Sequence, residues 1–129
     1  VIDPQSAAAG FLKRAEEALQ DAEILLEKKR SEGSINRSYY AAFYGACALL
    51  DSIGLKARSH QAAIDLLHRE YVHPGKLDRE LMLAYTRLFE ARMSGDYGLS
   101  SLATLNVARH SFATAGRFLA VVRALFDKE

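Results

Sequence analysis

Apolar side chains recur every three or four positions through most of the chain, the spacing of helices packed on one side. Between residues 5 and 30, Leu12, Ala15, Leu19, Ala22 and Leu26 form one such stripe, which predicts a long amphipathic helix. Ser31, Glu32, Gly33 and Ser34 are expected to end it, with Gly33 free to take positive φ and Ser34 placed to cap the next helix. That second helix is expected over residues 35–53. Tyr40, Phe43, Tyr44, Cys47 and Leu50 share one of its faces, and Tyr39, Ala42, Ala46, Leu49 and Ile53 share an adjoining one. Nearly its whole circumference is apolar or small, so it should be buried from several sides, by its own bundle alone or with a second subunit.

Gly54 stops this helix, and a short third one is expected after Ser59, over residues 60–71. The run Val72-His73-Pro74-Gly75-Lys76 is the clearest loop. Asp78 reads as the N-cap of a fourth helix that carries Leu81, Tyr85 and Leu88 on one stripe. Gly95 and Gly98 bracket a break, after which Ser100 or Ser101 caps a last helix bearing Leu102, Leu105, Phe112, Leu119, Val122 and Phe126. No segment alternates with the period of a strand, and none repeats. The expected fold is all-α, an up-and-down four-helix bundle with one additional short helix, forming a single domain over residues 1–129. If the short helix is a crossing connection, the second and fourth helices run antiparallel. Arg37 then lies near Asp96 and Tyr97, where one charge-assisted contact would satisfy an inward cation and an inward carboxylate.

Composition narrows the function more than it identifies it. Half of the 129 residues are hydrophobic, ample for one core. Seventeen Lys and Arg face sixteen Asp and Glu, a formal charge of +1, so no global field favours nucleic acid or an anionic membrane, and any polyanion site must be a local cluster. A single cysteine, Cys47, excludes an internal disulfide. No apolar run approaches the roughly 20 residues of a membrane span, and Val1-Ile2-Asp3-Pro4 lacks a signal-peptide pattern. A cytoplasmic protein is therefore expected.

Three arginines interrupt otherwise apolar stripes. Arg92 continues the line of Leu81, Tyr85 and Leu88, Arg37 precedes Tyr40 and Tyr44 by three and seven positions, and Arg109 falls between Leu105 and Phe112. A guanidinium keeps its charge, so where it is buried it requires a carboxylate, several carbonyls or an anionic ligand. The alternative is that each snorkels to solvent at a helix end, a reading that suits Arg109 best. His60, His68, His73 and His110 show no metal-ligand spacing, so no metal is assigned and all four read as surface or loop residues, with capping or a local anion contact open to His60, which follows Arg58-Ser59 at a helix start. Cys47 has no histidine or cation within a helical turn and reads as a small core residue. Tyr39, Tyr40 and Tyr44 occupy core or interface positions, where packing is the ordinary role and base stacking the less ordinary one. There is no glycine-rich phosphate loop, and no cofactor is implied.

The run Ile35-Asn36-Arg37-Ser38-Tyr39-Tyr40-Ala41-Ala42-Phe43-Tyr44 resembles the second helix of small stand-alone HEPN proteins. Ala48-Leu49-Leu50, Ser59-His60-Gln61-Ala62-Ala63-Ile64, the loop Gly75-Lys76-Leu77 and Leu88-Phe89-Glu90-Ala91-Arg92, closed by Asp96-Tyr97, continue the resemblance in order over about residues 10–126. It implies a helical bundle that usually forms homodimers. It also implies a partner, a minimal nucleotidyltransferase with which such domains often form toxin–antitoxin pairs. Active members are metal-independent ribonucleases that use an Arg followed four to six residues later by His. Carried onto this chain, the Arg is Arg92, and the positions for His hold Tyr97, Gly98 and Leu99. Metal-free cleavage of RNA wants a group that titrates near neutrality, and tyrosine, near ~10, is a poor base there. The leading expectation is therefore a HEPN-type binding module, with nucleotide or RNA bound around Arg37, Tyr40 and Arg92. The alternatives are a ribonuclease toxin with Arg92, Asp96 and Tyr97 in catalytic positions, and a purely structural helical dimer.

Overall fold

The computed structural model of the chain describes residues 3–96 and 103–128, with the backbone alone at residues 95 and 96. Five α-helices account for most of it: α1 Ala7–Glu27, α2 Ser31–Ser52, α3 His60–Leu67, α4 Arg79–Asp96 and α5 Leu105–Asp127. A single π-helical turn, His68–Val72, extends α3, and no strand occurs among the described residues.

The first two helices form an antiparallel hairpin. Ser34 donates its hydroxyl to the Ala22 carbonyl at 2.8 Å, and the Arg14 guanidinium lies 5.1 Å from the Tyr44 ring centre, so the register runs in opposite directions along the pair. The turn between them differs from the expected one. Lys28, Lys29 and Arg30 make it, with Lys29 at φ 60°, while Gly33 and Ser34 already belong to α2. Gly33 is inside the helix for a packing reason, since a Cβ there would sit 3.2 Å from Leu25 Cδ1. Ser34 is not a cap but a fully buried cross-helix hydrogen-bond donor. A lysine in the left-handed region carries a conformational cost that glycine does not. Lys29→Gly is therefore expected to stabilise the protein by about 1 kcal/mol, read as a rise in the urea midpoint.

Helix α2 is the axis of the fold, packed on by α1, α3, α4 and α5. Gly45 allows α5 its close approach, because a Cβ there would lie 2.7 Å from Leu119 Cδ2 and beside Val122 and Phe118. The bundle covers α2 from several sides: Tyr39, Ala42, Ala46 and Leu49 are sealed, Tyr40, Phe43, Tyr44 and Cys47 stay half-buried, and Ile53, just past its end, is exposed. Ser59 caps α3 by accepting from the Ala62 amide, as expected. The helix then crosses, and Tyr71 donates its hydroxyl to the Leu49 carbonyl at 2.9 Å, tying the crossing segment to the end of α2. Leu77 hydrogen-bonds back to Tyr71, so α4 starts beside the end of α2 and returns toward its beginning. The four long helices thus alternate up and down with α3 as the connection. Thr104 caps α5 through the Val107 amide; Ser100 and Ser101, the expected caps, lie outside the described residues, as do Gly98 and Leu102. Among the described residues no helix is long and apolar enough to cross a membrane.

Candidate functional site

The antiparallel return of α4 brings the beginning of α2 and the end of α4 together, and two of the three interrupting arginines meet there on one tyrosine. Arg37 sits with its guanidinium carbon 4.9 Å from the Tyr40 ring centre, and Arg92 with its own at 5.4 Å. Arg92 also donates from Nη2 to the Tyr40 hydroxyl at 3.2 Å and from Nη1 to Met93 Sδ at 3.6 Å. The ring offers both cations partial negative charge. Arg37 is further fixed by the Asn36 side-chain carbonyl, which accepts from Nε at 3.0 Å and Nη2 at 2.8 Å.

Glu17 and Asp21 of α1 line the same groove as Arg37, yet no carboxylate among the described residues forms an ion pair with it. The expected contact of Arg37 with Asp96 and Tyr97 cannot be followed to its end, since the Asp96 side chain and all of Tyr97 lie outside the described residues. Of the expected site residues, Arg37, Tyr40 and Arg92 are brought together. Arg109 is exposed and donates to Asn106 at 3.0 Å, as a snorkelling arginine would.

One residue belongs here that its sequence context did not reveal. We expected His60 to be a solvated residue at a helix start; instead its ring packs among Tyr39, Tyr40, Phe43 and Phe89, with centre distances of 5.3, 5.9, 4.6 and 5.7 Å. Its Nδ1 lies 2.6 Å from the Tyr39 hydroxyl. The physical reason is tertiary: capping by Ser59 sets the first turn of α3 against the beginning of α2, and residues 21 positions apart become partners. Burial, and secondarily the positive charge of Arg92, lower the imidazole pKa from its ordinary value. Burial raises that of Tyr39, as does the neighbouring Tyr40, against Tyr85 and Arg92, which act the other way. Tyr39 therefore keeps its proton, and its hydroxyl either donates to Nδ1 or accepts from Nδ1–H, according to the His60 tautomer.

Cys47 is held as a thiol, its pKa pushed up to about 11 by burial and then by Asp51, which removes it as a nucleophile at neutral pH. No group of three potential metal ligands occurs among the described residues.

The class of protein defined here is an up-and-down helical bundle with a basic, aromatic cluster at one end. The chain belongs to the HEPN domain family, which matches residues 8–125. It is 44% identical over 86 residues to a UPF0332 protein of Thermotoga maritima, covering 67% of this chain and 65% of that one. A second UPF0332 protein, glr0978 of Gloeobacter violaceus, is 33% identical over 112 residues, 86% of this chain and 89% of its own. A Methanocaldococcus jannaschii protein named "Putative toxin MJ0605" is 31% identical over 87 residues, 67% of this chain and 65% of its own. The chain thus spans just under two thirds of the Thermotoga maritima and Methanocaldococcus jannaschii relatives.

Proposed function

We propose that the chain is a HEPN-type binding module that holds a phosphate group of RNA or of a nucleotide between Arg37 and Arg92. The observation that carries this reading is the pair of guanidiniums on one half-buried tyrosine ring, with Arg37 held by a neutral amide in place of a carboxylate. Two planar forks set on one ring suit a phosphate, which accepts from several donors at once. Tyr40 would position both forks, and its ring offers a base a surface to stack on. The half-buried stripe of Tyr40, Phe43, Tyr44 and Cys47 supports a homodimer in which α2 takes part. A minimal nucleotidyltransferase partner, as in a toxin–antitoxin pair, accords with family membership and with the toxin in one relative's name.

The test is fluorescence anisotropy with a labelled oligouridylate, with AMP as competitor. Binding that weakens steeply with added salt is expected, because phosphate contacts release counterions. Affinity indifferent to salt, or none at millimolar nucleotide, would leave the arginine pair a structural staple. A second reading, a metal-independent ribonuclease toxin acting through Arg92, Asp96 and Tyr97, draws on the same convergence with the end of α4. Cleavage by the purified protein in the presence of a chelator, lost in Arg92→Ala, separates it from simple binding.

A further inference from the structure

We propose that His60 is a third ligand of this phosphate site and takes up a proton when the phosphate binds, so that affinity rises as pH falls. The inference rests on the reading of Arg37 and Arg92 as a phosphate site and adds to it a residue, a protonation state and a pH dependence. It stands on placement. His60 and Arg92 lie on the same pair of rings: the imidazole centre is 5.3 Å from Tyr39 and 5.9 Å from Tyr40, and the guanidinium carbon of Arg92 is 6.0 and 5.4 Å from the same two.

One edge of the imidazole is committed and the other is available. Nδ1 meets the hydroxyl of Tyr39, a residue with no exposed surface, so the Nε2 edge is the outer one. Nε2 has no protein partner among the described residues and is not sealed from solvent. A half-buried imidazole with one nitrogen tied to the interior and the other open is oriented as a ligand-binding histidine is oriented.

The sign of the pH effect follows from the surroundings. The titratable and charged groups that the neighbouring helices set against His60, among the described residues, are Tyr39 and Tyr40 of α2 and Arg92 of α4. Burial, and then the positive charge of Arg92, oppose the imidazolium in the free protein. A phosphate held by Arg92 brings negative charge to the same place and reverses the balance. The Tyr39 contact survives the change, because a hydroxyl that donated to Nδ1 can accept from Nδ1–H instead. A group whose pKa is higher in the complex than in the free protein strengthens binding as pH falls through the bound value.

The experiment measures the Kd of a labelled oligouridylate from pH 8 to pH 5.5 at constant ionic strength. Uracil takes up no proton in this range, so a pH effect belongs to the protein or its phosphates. The wild-type protein is expected to bind roughly tenfold more tightly at the lower end, the effect of a shift of about one unit in one group. His60→Gln, which keeps a polar group for Tyr39, should lose that ratio, and Tyr39→Phe, which keeps the imidazole, should retain it. The His60 ring resonance, followed by NMR in the unmutated protein, should titrate at higher pH when the oligomer or AMP is present. Equal slopes in wild type and His60→Gln, or a His60 titration unmoved by ligand, would overturn the inference and leave the phosphate site standing. Absence of binding at every pH would overturn both.

Discussion

Replacing Arg92 with alanine is expected to weaken oligouridylate binding by between ten- and a hundredfold at physiological salt. The size follows from what the side chain does. A hydrogen bond to a charged group contributes roughly 1.5–3 kcal/mol, which is one to two decades in Kd. Among the described residues Arg92 is the one cation that reaches both the Tyr40 hydroxyl, at 3.2 Å, and the ring, at 5.4 Å, so its removal also unseats the ring that positions Arg37. Folding should suffer little, because Tyr40 is half-buried and water can replace the lost donor. Arg92→Lys separates charge from shape: it keeps the cation but loses the planar fork, and an intermediate affinity is expected. The check is anisotropy alongside urea unfolding. An Arg92→Ala protein that binds as wild type does, with its unfolding midpoint intact, would remove Arg92 from the site.

Phe118→Ala is expected to cost about 4 kcal/mol of stability, the range for deleting a buried aromatic ring. Phe118 has no exposed surface, packs its ring 5.0 Å from that of Tyr85, and faces the bare backbone at Gly45. The glycine side of the resulting cavity has no side chain that can turn in to fill it. Tyr85 in turn backs Tyr39 at 6.1 Å, so the vacancy opens two rings behind His60. A loss of this size is a large part of the 5–15 kcal/mol typical of a domain, and the urea midpoint should fall accordingly. A change below about 1 kcal/mol would mean that α5 closes onto α2 after the ring is gone.

The periodicity of apolar residues was enough to place the five helices, and the short segment after Ser59 was enough to identify a crossing connection. Boundaries were harder to read where local preference and packing disagree. Gly33 and Ser34 have the chemistry of a helix break, but contact with Leu25 and the Ala22 carbonyl draws both into α2, and the turn falls on Lys29 against its backbone preference. Ser100, Ser101 and Thr104 all carry capping hydroxyls, and intrinsic preference, which ranks serine above threonine, points away from Thr104, the residue that caps α5. Arg37 and Arg92 were legible because a permanent charge on an apolar stripe is an anomaly within a single helix. His60 was not legible in that way. Its partners lie on α2 and α4, and no spacing within α3 records them.

The hairpin of α1 and α2 has a consequence for the order in which this protein is built. Its contacts join neighbours along the chain, and loops that short close at little entropic cost. The bond from Arg92 to Tyr40 spans 52 residues and that from His60 to Tyr39 spans 21, so the site forms only when α4 and α3 dock on a hairpin already in place. Arg37 and Tyr40 share α2, whereas Arg92 reaches them only while α4 is docked and is lost in a local opening of α4. A phosphate ligand bridging the two arginines, as proposed above, would hold α4 in its docked position. Amide exchange in α4 then becomes a record of occupancy, at a helix most of whose residues never touch the phosphate.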